Sequence, residues 1–181
     1  MVAISDAQDE LRLAYAVGAP GVLVSGLVWL ASGAIWYSMG PERAFLVLFL
    51  GGMSIFPMGS LIARLMFGAR PASKTNPLGA LGFEVTVPLF AGIFVAYAML
   101  RIVPALSFAL FAVIVGARYF SFATLYRDRT YWALGGVLFA TGIGFAIAGQ
   151  HAPINVAICV GALELIFAVV LFVRARAIPR S

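Results

Sequence analysis

Apolar residues in this chain fall into six long blocks separated by short polar stretches, at residues 22–39, 44–67, 78–100, 103–125, 131–150 and 153–173. Each block is close to the ~20 residues that an α-helix needs to cross the hydrocarbon core of a bilayer. The intervening segments alternate in character. Residues 40–43, 101–102 and 151–152 form minimal turns, whereas 68–77 and 126–130 are polar and basic. The pattern predicts an all-α polytopic membrane protein, a single domain over residues 1–181, with six transmembrane helices arranged as three tight helical hairpins.

Residues 1–17 read differently. Ser5 is placed to cap a short helix whose first turn carries Asp6 and Asp9, where carboxylates face the positive end of the helix dipole. Ala7, Leu11, Ala14 and Tyr15 then share one face, while the acids lie elsewhere. An acidic amphipathic helix is poorly matched to an anionic membrane surface, so docking against the basic loops is expected. Gly18-Ala19-Pro20-Gly21 breaks the chain before the first span.

Composition strengthens this picture. The chain is 63% hydrophobic and 10% charged over 181 residues, with mean hydropathy +1.04. Soluble domains hold about 45–50% apolar and about 25% charged residues, so a soluble globule of this sequence would lack the polar groups to cover itself. The basic residues test the topology independently. Arg12, Arg64, Arg70, Lys74, Arg118, Arg127, Arg129, Arg174, Arg176 and Arg180 fall on one side, and only Arg43 and Arg101 on the other. Ten against two predicts both termini in the cytoplasm. The same placement, at the ends of apolar runs, sets nucleic acid aside as the meaning of a pI near 9.9. The first twenty residues hold Asp6, Asp9 and Glu10 against Arg12, the reverse of a basic secretory leader, and retention of this segment is expected.

Two features speak to packing. Gly136, Ala140, Gly144 and Ala148 form a four-residue-spaced small stripe that predicts a helix seam within the monomer, with a dimer interface as the other reading. Pro57 should kink the second span, and Pro88 the third.

Ionisable residues inside spans cost about 2.5–3.5 kcal/mol at mid-helix and are functional candidates by default. Three stand out: Glu84, Arg118 and Glu164. At 1.5 Å per residue they lie about 9, 11–13 and 15 Å from the cytoplasmic boundary, and the economical arrangement has Arg118 shared between two carboxylates inside the bundle. Thr86, Tyr119, Ser121 and Tyr126 would enlarge a ligand-binding pocket there, the tyrosines reading equally as interfacial belt residues. The structural reading of the same triad is glue that fixes helix register. Against it, two carboxylates on one arginine leave an excess negative charge for a proton or cation to compensate. Arg64 is read as snorkelling and His151 as a solvated turn residue. No metal or cofactor is expected. Cys159 is the lone cysteine, one histidine excludes intrachain bis-histidine haem ligation and a two-histidine zinc helix, and no phosphate-cradling glycine loop occurs. A serine nucleophile such as Ser25, Ser60 or Ser121 would find no histidine in the membrane to activate it.

The stretches Gly18-Ala-Pro-Gly-Val-Leu-Val-Ser-Gly-Leu-Val-Trp29, Asn76-Pro-Leu-Gly-Ala-Leu-Gly-Phe-Glu84 and Gly116-Ala-Arg-Tyr-Phe-Ser-Phe-Ala-Thr-Leu-Tyr126 resemble motifs of an uncharacterised family of small six-helix bacterial inner-membrane proteins, a domain of unknown function. That resemblance implies a bacterial inner-membrane location and no particular activity. Gly161-Ala-Leu-Glu-Leu-Ile-Phe167 is similar to the final helix of small acid-resistance membrane proteins, a likeness that bears on topology alone.

Two functional readings follow. One is a small transporter-like or solute-binding protein with a cytoplasm-facing polar cavity around the buried Glu and Arg residues. The alternative is a structural or interaction protein in which those charges tie helices together. An intramembrane enzyme ranks third, for want of an activated nucleophile. The partners implied are the bilayer, a proton or small solute, and a second copy of the chain.

Overall fold

The structure, a computed structural model, describes residues 3–149 and 154–178. Its elements are α1 (Ile4–Ala14), a 3₁₀ turn (Ala16–Gly18), α2 (Ala19–Met39), α3 (Pro41–Phe67), α4 (Gly79–Glu84), α5 (Val87–Leu100), α6 (Pro104–Leu125), α7 (Thr130–Ala148) and α8 (Val156–Arg176). No strand occurs among the described residues, and six helical segments are long and apolar enough to cross a membrane. The protein is a polytopic helical membrane protein. The turn that carries His151, with residues 150–153, lies outside the described residues.

Local chemistry sets the helix boundaries. Prolines occupy the first turn of α2, α3, α5 and α6, where the missing N–H would have no intrahelical partner. Gly40 (φ +88°) and Gly68 (φ +61°) close α2 and α3 in conformations that a side chain would strain. Asn155 caps α8, its side-chain oxygen accepting from the Ala157 N–H at 2.7 Å. Ser5 does not cap α1, because that helix begins at Ile4 and the Ser5 hydroxyl donates to Asp6 instead.

The two prolines behave differently. α3 runs through Pro57 as one helix. The third span is divided, with α4 ending at Glu84 and α5 starting at Val87. Pro88 has no N–H to donate to the Glu84 carbonyl, and its ring crowds that group.

The six long segments form two layers of three. In one, α2 packs between α3 and α8; in the other, α6 packs between α5 and α7. Chain neighbours α7 and α8 share less contact than α2 and α8 do, so the layers cut across the last hairpin. Aromatic pairs join the two central helices, Trp29 with Phe111 at 5.7 Å and Trp36 with Phe108 at 4.7 Å between ring centroids. Leu46, Phe49, Leu50 and Met53 of α3, Phe90 and Phe94 of α5, and Val169 and Val173 of α8 are uncovered, an apolar outer surface suited to lipid.

Small residues bring the helices together, though not the expected ones. A Cβ at Gly116 would sit 2.5 Å from the Phe139 backbone nitrogen, one at Gly135 2.8 Å from the Gly116 carbonyl, and one at Gly142 2.7 Å from the Ala109 carbonyl. These glycines form the α6–α7 seam. The predicted stripe faces outward: Gly136 and Gly144 have no neighbour within 4 Å, and Ala140 and Ala148 are exposed. A seam of small residues and an outward row of small residues look alike in sequence when every face of the helix is apolar.

α1 lies across one end of the bundle with Ala7, Gln8, Leu11 and Ala14 buried. Gln8 donates to the Thr124 carbonyl at 2.6 Å. Asn76, in the basic loop between α3 and α4, donates to the Ala7 carbonyl at 3.0 Å and to Glu10 at 2.7 Å. The Ser73 N–H donates to the same Glu10 carboxylate, and Asp9 bonds Arg127 at 2.9 Å. The chain then reverses through Ala16, Val17 and Gly18, all at positive φ (+47°, +56° and +76°). Positive φ is unusual for a β-branched residue, and Val17 is held there fully buried.

Candidate functional site

The site begins where α2 and α8 touch backbone to backbone. A Cβ at Gly161 would lie 2.8 Å from the Gly26 carbonyl, and one at Gly26 3.0 Å from the Gly161 carbonyl. Glu164, almost one turn further along α8, is thereby set in the interior at 0% exposure. Its Oε1 accepts the Tyr119 hydroxyl of α6 at 2.7 Å. No donor among the described residues makes a well-formed hydrogen bond to its Oε2. The buried Ser25 hydroxyl of α2 faces the same carboxyl and phenol. Three helices therefore converge on one carboxyl group.

Arg118 precedes Tyr119 on α6, and the ~100° turn per residue points it to a different neighbour. Its Nη2 donates to Thr86 Oγ1 at 3.1 Å, and its Cζ lies 4.7 Å from the centroid of the Phe122 ring. Thr86 passes its own proton back to the Gly82 carbonyl at 3.1 Å. The Arg118 Nε is buried without a partner, and the guanidinium forms no ion pair with Glu164. Arg118 and Glu164 are neighbours that do not touch.

Between the charges and the α1 end lies an aromatic cluster of Tyr119, Phe122, Tyr126 and Tyr131. Ring centroids are 5.9 Å apart for Tyr119 and Tyr131, 5.7 Å for Phe122 and Tyr126, and 5.6 Å for Tyr126 and Tyr131. The Tyr131 hydroxyl donates to the Val17 carbonyl at 2.6 Å. A side chain at Gly18 would strike that hydroxyl at 2.4 Å. The tyrosines thus hold the left-handed turn that carries α1, and Tyr119 extends the same packing to Glu164.

Set against expectation, the structure brings together Arg118, Tyr119, Glu164, Thr86 and Tyr126. It leaves Glu84 out. Glu84 is exposed at the end of α4, a six-residue helix with no buried position, and forms no ion pair among the described residues. The interruption before Pro88 separates Glu84 from the face of α5 that packs on α6. Arg118 therefore pairs with a threonine and an aromatic ring, not with two carboxylates. Ser121 is half-buried on α6, and its hydroxyl makes no hydrogen bond among the described residues. Ser25 and Tyr131 join the site without having been singled out for it, Ser25 because it sits beside the Gly26 contact. No group of three His, Cys, Asp or Glu side chains suited to a metal occurs among the described residues.

Residues 4–174 match the profile of a family of unknown function, DUF7010. The chain belongs to that family. The match runs from the first residue of α1 to Arg174 in the last turn of α8, so it covers both layers and the covering helix together. No curated protein and no solved structure matches the chain. Membership brings no activity with it, and the functional argument rests on the buried carboxyl and its neighbours.

Proposed function

We propose that the protein is a small transporter-like or solute-binding membrane protein whose working group is Glu164, approached from the cytoplasm. The observation that carries this reading is a fully buried carboxyl with one oxygen bonded to Tyr119 and the other in no well-formed hydrogen bond, with only the Ser25 hydroxyl facing it. Buried polar groups left unsatisfied cost about 1–3 kcal/mol, and a proton or a small cation on Oε2 would remove that cost. Arg118, close by but without a carboxylate partner, sets the electrostatic field at the carboxyl and is available to an anionic group. The bias of Lys and Arg supports a reading with α1 and both termini on the cytoplasmic side, and the family resemblance supports a bacterial inner membrane. α1 then covers the cytoplasmic end of the bundle, and a solute would have to pass it to reach Glu164.

One observation favours a structural role for the same residues: the Tyr119–Glu164 hydrogen bond ties α6 to α8, one helix from each layer. Thermal unfolding in detergent separates the two readings. Wild type and Glu164→Gln are compared across pH and with sodium, potassium, ammonium and small organic cations. On the solute-binding reading a cation or proton stabilises the wild type, and Glu164→Gln folds but loses that response. If the variant is less stable while the wild type responds to none of these, Glu164 is a structural tie and the transport reading fails.

A further inference from the structure

A second cluster of charge lies at the α1 end, beside the ends of the spans. Asp9, Arg12 and Leu13 of α1, Arg127 from the α6–α7 turn, and Arg174, Ala177 and Ile178 at the end of α8 line a pocket of ≈ 600 Å³. We propose that this pocket is a phosphate site, taking the anionic head of a phosphate-bearing molecule at the membrane surface.

Three guanidinium groups from three separate elements converge here, and their bonds to protein leave most donors free. Arg127 Nη2 bonds Asp9 Oδ1 at 2.9 Å and Oδ2 at 3.3 Å, while Arg12 Nη1 stands 3.6 Å from Asp9 Oδ1. Arg174 uses Nε on Asp128 at 2.7 Å, which leaves its two terminal nitrogens. The Arg12 Nε is buried with no partner at all. Planar guanidinium forks match phosphate oxygens better than any other side chain does. Asp128 is held behind Arg174 and is 1% exposed, so it neutralises one arginine only.

Asp9 occupies the place an anion would take. Its carboxylate bridges Arg12 and Arg127, yet its side chain is 50% exposed and that of Arg127 is 49% exposed. An ion pair so open to water is weak and easily exchanged. An incoming phosphate would carry more charge and more acceptor oxygens to the same two guanidiniums. Leu13, Ala177 and Ile178 line the rest of the pocket and offer an apolar wall beside the charges. Arg127 directly follows the C-cap of α6, and Arg174 lies in the last turn of α8. Both stand at or just beyond the end of a spanning helix, where a lipid headgroup would be within reach.

Arg127 also supplies a clean variant. Its φ of +46° is a conformation that glycine adopts freely, so Arg127→Gly removes the guanidinium without disturbing the turn. The test is thermal unfolding of the full chain in neutral detergent, titrated separately with phosphatidylglycerol, phosphatidylcholine and inorganic phosphate. Phosphatidylglycerol is expected to raise Tm in the wild type, and phosphatidylcholine to leave it unchanged. Asp9→Asn, which removes the competing carboxylate, should bind more tightly. Arg12→Gln combined with Arg127→Gly should bind about tenfold more weakly for each guanidinium lost. If inorganic phosphate gives the same Arg-dependent shift, the site stands and its source is a free phosphate; a shift with phosphatidylglycerol alone assigns a lipid headgroup. An equal response to phosphatidylcholine, an undiminished shift in the double variant, or no shift with any probe overturns the proposal.

Discussion

The geometry around Glu164 makes a quantitative claim about which neighbour holds it. Tyr119→Phe deletes the hydroxyl that bonds Oε1 at 2.7 Å, and Glu164→Gln keeps an acceptor of the same shape without the charge. Interhelical hydrogen bonds in membranes average about 0.6 kcal/mol and reach about 1.7 kcal/mol. A short bond between two fully buried groups belongs near the top of that range, so Tyr119→Phe should cost about 1–2 kcal/mol. Arg118 forms no ion pair with Glu164, and removing one partner of a true buried pair would cost about 3–5 kcal/mol. The perturbation is a pair of double-mutant cycles, Tyr119→Phe with Glu164→Leu and Arg118→Met with Glu164→Leu, read by reversible unfolding in mixed micelles. The expected coupling is about 1 kcal/mol for tyrosine and below about 0.5 kcal/mol for arginine. If the arginine cycle gives the larger coupling, Arg118 and Glu164 form an ion pair in the membrane and the arrangement argued above is wrong.

The glycine contacts predict opposite outcomes for glycines on adjacent helices. Gly116→Ala should loosen the α6–α7 seam and cost at least about 1–3 kcal/mol, as overpacking does, because its methyl would meet the Phe139 backbone at 2.5 Å. Gly144→Ala, with nothing within 4 Å, should be neutral or stabilise by about 0.5–1 kcal/mol; thermal unfolding of both variants checks the contrast, and equal losses would contradict it. Asp128 predicts a pH dependence. Burial alone would push its carboxyl up, but the backbone N–H and hydroxyl of Thr130 and the Arg174 guanidinium outweigh that and hold it below its ordinary value of 3.8. A group depressed in the folded state contributes stability that is complete above its unfolded value and is lost as pH falls through the folded value. The difference in stability between wild type and Asp128→Asn should therefore be constant from neutral pH down to the ordinary carboxylate range and shrink below it; a difference that grows on acidification would refute the assignment.

Two carboxylates looked equivalent along the chain. Glu84 and Glu164 both follow small and apolar residues within an apolar run, and both sit several residues from a basic boundary. The structure separates them completely, one exposed on α4 and the other at 0% exposure on α8. The proline that causes the difference was visible, because Pro88 lies four residues after Glu84. Its effect on the direction of Glu84 was not, since the expected result was a bend and the actual one is a break into α4 and α5. The Asp128–Arg174 and Asn76–Glu10 bonds and the placement of Ser25 beside Glu164 have no local signal, because each joins residues distant in sequence.

The sequence by itself determined the number and placement of the spans. Bilayer thickness and the 1.5 Å helical rise convert an apolar run directly into a crossing, and the placement of Lys and Arg supplies a separate orientation argument. Only the tertiary structure decided which faces meet. In a soluble protein the apolar stripe of a helix names its buried side, but here most positions are apolar whether they face lipid or protein. On α7, the seam residues Gly135 and Gly142 and the outward row through Gly136 and Gly144 differ by a rotation about the helix axis that hydrophobicity does not encode. The choice falls to close packing, where a backbone carbonyl less than 3 Å from a would-be Cβ admits glycine and nothing larger.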